Sequence, residues 1–203
     1  MSRARVGIFV ILFVACALLT VSSNTLSSSA EASNRDSTEG ANEESYVFRR
    51  SWGGDSSALR QPIAVAVGPN GTIFVAESFD NQITAISPGE RTYYSWGGDG
   101  SGDGQFEYPA GVAVDSKGNV YVADHGNHRI QKFTADGTYL TQWGSQGSGN
   151  GQLSYPGGVA VDRSGNVYVV EFGNSRVQKF TDGGAYLTQW GSFGEGSGQF
   201  KYP

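Results

Sequence analysis

The chain has 203 residues, 30 of them glycine, with 12% aromatic and 16% charged residues and a formal net charge of −5. That length holds one ordinary domain plus an appendage, and abundant turn formers set among aromatic residues point to an all-β protein over a helical one. The Lys and Arg residues are scattered and make no basic stripe, which argues against nucleic acid as a partner, and the single cysteine, Cys16, excludes both an internal disulfide framework and thiolate metal sites.

Arg3 and Arg5 precede an apolar run from Val6 to about Leu19. A basic start followed by a short apolar core has the form of a secretory signal, so residues 1–30 are read as a signal peptide or membrane anchor. The run is short against the roughly 20 residues of a comfortable transmembrane helix. Ser28-Ser29-Ala30 offers small residues for cleavage. Phe13-Val14-Ala15-Cys16 has the outline of a lipobox, but Phe13 fits it poorly and the apolar run continues beyond, so Cys16 reads as one more apolar residue of the signal core. Residues 31–45 are rich in Ser, Asn and Glu without apolar periodicity, which reads as a disordered linker. The expectation is a secreted or surface-attached, extracytoplasmic domain that touches a membrane only through its N-terminal segment.

From Tyr46 to Pro203 the sequence repeats. Pro62-Ile63-Ala64-Val65-Ala66-Val67 returns near Pro109 and again near Pro156, an offset of 47 residues (109 − 62 and 156 − 109). Gly118-Asn119-Val120-Tyr121-Val122 returns as Gly165-Asn166-Val167-Tyr168-Val169, and Tyr139-Leu140-Thr141-Gln142-Trp143-Gly144 as Tyr186-Leu187-Thr188-Gln189-Trp190-Gly191. Each copy holds four short strand-like runs; in the second they fall at about 111–115, 119–124, 128–134 and 138–143, separated by Gly-bearing tight turns. Four short antiparallel strands in a period in the forties predict a β-propeller of four-stranded blades. The blades are expected at 62–96, 109–143 and 156–190, with 46–52 as an extra strand. Neighbouring blades should share apolar layers built from Val112, Val114, Val120, Val122 and Ile130 and their equivalents.

Gly111-Val112-Ala113-Val114-Asp115, Gly118-Asn119-Val120-Tyr121-Val122-Ala123-Asp124 and Gly126-Asn127-His128-Arg129-Ile130-Gln131-Lys132-Phe133 together resemble the NHL repeat family. The third copy has Ser175 where the second has His128, and the first departs further with Asn81-Gln82-Ile83. The resemblance implies a ring of about six blades, of which three are present here. The sequence is therefore read as part of a longer propeller in preference to a genuine three-bladed protein; a chain that ended at Pro203 would be expected to cover its open end by self-association.

Several side chains are weighed for chemistry. His125 and His128 are the only histidines; propeller lyases resembling this family gather several histidines on a central zinc, which makes this pair a weak metal candidate, although three protein ligands are usual for catalytic zinc. Asp99-Gly100-Ser101-Gly102-Asp103-Gly104 starts like a calcium loop, yet its twelfth position is Ala110 and no helices flank it, so it reads as an inter-blade connector. No cofactor is expected. Glu77, Asp124 and Glu171 end the second strand of each copy, either as a carboxylate ring or, as favoured, in local pairs with Arg129 and Arg176, with Glu77 the freest because its copy lacks the Arg. Asn70-Gly71-Thr72 is a glycosylation sequon lying where a hairpin turn is expected. The preferred reading is a binding module, not an enzyme, that takes a protein, peptide or glycan on one propeller face through Tyr155, Phe172 and Phe193, with Glu77 as an acidic contact. The alternative is a metal-dependent propeller lyase or hydrolase.

Overall fold

The computed structural model describes residues 59–88 and 93–203. The segments read as signal, linker and lone strand lie outside the described residues. Those described form three four-stranded antiparallel sheets and no helix. The first sheet contains β1 (Pro62–Val67), β2 (Ile73–Glu77), β3 (Gln82–Ile86) and β4 (Tyr93–Gly97); the second contains β5 (Pro109–Val114), β6 (Val120–Asp124), β7 (Arg129–Phe133) and β8 (Tyr139–Trp143). The third contains β9 (Pro156–Val161), β10 (Val167–Glu171), β11 (Arg176–Phe180) and β12 (Tyr186–Trp190). Each strand pairs with its neighbours in the chain, the arrangement of a propeller blade.

The turn chemistry is local and repeated. Asp115 Oδ1 accepts the backbone N–H groups of Lys117 and Asn119, both at 2.9 Å, while its Oδ2 accepts the Asn119 side chain and the Tyr121 hydroxyl. Asp162 repeats these contacts with Ser164, Asn166 and Tyr168. One carboxylate therefore closes the β5–β6 hairpin, and its copy closes β9–β10.

Strand periodicity then divides the second blade between two cores. Val120 and Val122 pack with Phe74, Ile83, Phe106 and Phe133 toward the first blade. Tyr121, Ala123 and Ile130 pack with Leu153, Val167, Val169 and Phe180 toward the third. Successive residues of β6 thus serve opposite neighbours, as a pleated strand requires. Val112, Val120, Val122 and Ile130 are buried as expected, whereas Val114 is only half-buried. Phe106 and Leu153, both fully buried, come from the glycine-rich connectors and plug the gaps between blades. Burying each such side chain contributes about 1.5–3 kcal/mol. The first strands β1, β5 and β9 run side by side. At Gly111 a Cβ would stand 2.6 Å from the Gly157 carbonyl oxygen, so the close approach of β5 to β9 requires glycine there.

Candidate functional site

One end of every blade gathers the turn between its second and third strands and the connector that enters it. The register places Pro109, Asp124 and Arg129 side by side at that end, and Val114, Val120 and Phe133 at the other. The carboxylate that ends the second strand organises this rim. Asp124 is fully buried and accepts Arg129 Nε at 2.7 Å, the side chains of Asn127 and Gln131, and the Glu107 N–H. The Arg129 guanidinium also donates to the carbonyls of Ser101, Gly102 and Gln105 in the connector. Glu171 and Arg176 repeat the clasp, with carbonyls of Ser148, Gly149 and Gln152. A buried ion pair with every remaining donor and acceptor engaged fixes geometry even where its net contribution to stability is small.

The same position in the first blade is built differently. Gln82 and Thr84 stand where the other blades have Arg and Gln, and both donate to Glu77 Oε1, while the Arg60 N–H donates to Oε2. Glu77 is only 2% exposed. The reading of Glu77 as the freest carboxylate and as a ligand contact is therefore corrected: shorter polar side chains reach it where the Arg is missing and hold it inward.

The aromatic candidates stand outside this clasp, on the solvent side. Tyr155 is 42% exposed and Phe172 45%. Tyr155 lies against both histidines, with ring centroids 5.1 Å from His125 and 4.4 Å from His128. Phe172 stacks on Tyr202 at 5.4 Å, and Phe193 meets the same tyrosine edge-on at 5.9 Å. The three residues singled out in the sequence thus fall into two clusters on a single rim. Tyr108 extends the first cluster, 5.7 Å from His125 and 48% exposed. In the first blade Phe79, in the turn between the second and third strands, lies under the Arg60 guanidinium.

Sequence reasoning missed Tyr108, Tyr202 and Phe79. A signal was present, because Tyr108, Tyr155 and Tyr202 recur before successive prolines at the repeat offset. All three have left-handed backbone, with φ of 55°, 50° and 54°. That conformation is costly for a bulky side chain, and such costs concentrate at binding sites. A neighbouring blade steadies two of them: Asn81 Oδ1 accepts the Tyr108 N–H at 2.7 Å, and His128 Nδ1 accepts the Tyr155 N–H at 3.0 Å.

The histidines are occupied in the same framework. His125 Nδ1 lies 3.2 Å from the Pro156 carbonyl oxygen, to which it donates. Burial pushes the His125 imidazole below its ordinary value, the nearby His128 adds to that, and the Pro156 hydrogen bond opposes both. The Nδ1 atom of His128 accepts the Tyr155 N–H, which in the neutral ring places the proton on Nε2. Among the described residues no group of three or more His, Cys, Asp or Glu side chains could hold a metal ion.

The NHL repeat family model matches residues 106–133 and 153–180, the second and third blades from connector plug to third strand. No curated protein matches. Among solved structures the chain is similar to a catalytically inactive virginiamycin B lyase from Staphylococcus aureus with quinupristin, at 15% identity and a TM-score of 0.54, covering 73% of this chain and 46% of that one. It is similar to Kuenenia stuttgartiensis hydrazine synthase at 13% identity and 0.54, covering 74% and 40%, and to a nidogen/laminin complex at 19% and 0.52, covering 66% and 50%. The chain spans half or less of the length of each, and at these identities the likeness shows the fold.

Proposed function

We propose that this chain, an NHL-repeat protein with propeller blades, works as an extracytoplasmic binding module that takes a protein, peptide or glycan on the rim carrying Tyr108, Tyr155 and Phe172. The observation that carries the proposal is the alignment of exposed rings at one end of successive blades, each held on a buried carboxylate clasp. Large rigid side chains lead interface energetics, since they offer wide contact area at low conformational cost. The basic and apolar N-terminal segment, with the polar stretch after it, supports an extracytoplasmic setting. The test is capture of peptides and glycans on arrays by the full chain and by a Tyr155→Ala/Phe172→Ala variant. The variant should lose capture while keeping its circular dichroism and unfolding midpoint. Equal capture by both proteins would sink the assignment of the rim.

A further inference from the structure

The side chain entering each blade one residue before the rim position lies across the turn between the second and third strands. In the first blade this is Arg60, whose guanidinium stands 4.5 Å over the Phe79 ring and 3.2 Å from Asp80. In the second blade the corresponding residue is Glu107, and Gly126 replaces the ring beneath it. A Cβ on Gly126 would come within 2.5–2.9 Å of the Glu107 side chain, so the missing Cβ is what lets the carboxylate settle there. Its backbone is pinned as well: the Glu107 N–H donates to Asp124, and its carbonyl accepts the Gly126 N–H at 2.8 Å.

Glu107 is exposed and makes no ion pair among the described residues. Arg129, at the same end of the blade, is spent on Asp124 and the connector carbonyls. Tyr108 follows Glu107 in the chain and His125 precedes the Gly126 that the Glu107 side chain covers, and the rings of Tyr108, His125 and Tyr155 form an unbroken series. An unpaired carboxylate on a pinned backbone next to exposed aromatic rings is the environment that attracts a guanidinium or ammonium group. Where the first blade carries the cation Arg60, the second carries the acid Glu107 beside its rings and leaves a cation to come from outside.

We infer that Glu107, Tyr108, His125 and Tyr155 form a seat for an arginine or lysine side chain of a basic peptide segment. This rests on the rim being the binding surface and names the chemistry of its partner. The probe is an end-capped hexa-arginine peptide titrated against the full chain, with a neutral Gly/Ser peptide and a neutral oligosaccharide alongside.

Binding of the basic peptide should weaken roughly fivefold or more in Glu107→Gln and in Tyr108→Leu, return in Tyr108→Phe, and fall as salt is raised. Asp182→Asn removes the same charge at the opposite end of a blade and controls for general attraction to an acidic protein; it should bind as the parent does. Equal weakening by Asp182→Asn and Glu107→Gln, or none by either, overturns the seat. Rim-dependent capture of the neutral oligosaccharide without the basic peptide overturns the seat and leaves the broader reading standing. Failure of all three probes together with intact array capture by the Tyr155→Ala/Phe172→Ala variant overturns both.

Discussion

Replacing Arg129 by Gln removes the one cation among the described residues that pairs with the fully buried Asp124 carboxylate. It also strips donors from three connector carbonyls, those of Ser101, Gly102 and Gln105, and from Gln142 Oε1. Breaking one partner of a buried ion pair costs about 3–5 kcal/mol, because the remaining charge is left uncompensated. Asp124 keeps its bonds from Glu107, Asn127 and Gln131, so a value near the lower end, about 3 kcal/mol, is expected. Asp124→Asn should cost a similar amount by stranding the guanidinium. The Asp124→Asn/Arg129→Gln double variant carries no buried charge at this place and should recover about 1–3 kcal/mol relative to the sum of the single losses. Urea unfolding of the full chain, followed by tryptophan fluorescence, measures all four corners of the cycle. Strictly additive losses, or a loss below about 1 kcal/mol for Arg129→Gln, would refute the claim that the clasp acts as one buried unit.

Two further outcomes follow from the same structure. The His125 imidazole is held below its ordinary value of 6.5 mainly by burial, so the unfolded chain binds the extra proton first as pH falls. Stability should therefore be full above that value, drop as pH descends from it toward the lowered folded value, and level off below; His125→Gln should flatten this part of a pH-dependent denaturation series, and an unchanged slope would contradict it. Phe133→Ala empties the space shared with Trp96, Phe106 and Tyr139 between the first two blades and should cost about 3–5 kcal/mol in the same urea assay.

The blades were legible because strand periodicity and turn residues are local properties, and the repeat displays them more than once. The pairing of Asp124 with Arg129 and of Glu171 with Arg176 could be read for the same reason, since partners five residues apart face each other across a tight turn. Glu77 was misread because the decision lay in which neighbours replaced the missing Arg: Gln82 and Thr84 look like ordinary strand residues until the register shows both aimed at one carboxylate. Phe106 and Leu153 were hidden in glycine-rich connectors, where composition signals a loop and says nothing of a ring or aliphatic side chain inserted between sheets. The rim itself also depends on contacts between distant parts of the chain, as in the hydrogen bond from the Tyr155 N–H to His128, 27 residues away. No local pattern reports that distance.

The clasp also changes where one module should be said to begin. Arg129 belongs to β7, yet the carbonyls it holds, from Ser101 to Gln105, precede the first strand of its own sheet. Gln131 reaches the same stretch, and Phe106 fills the core from it. The cooperative element is therefore a connector together with the sheet that follows, and the third blade uses the corresponding partners. Grafting, duplicating or deleting blades along this boundary moves an ion pair and its acceptors as a set. A cut placed just before β5 would sever them, so engineered arrays should be joined on the N-terminal side of Asp99 and not at the start of the strand.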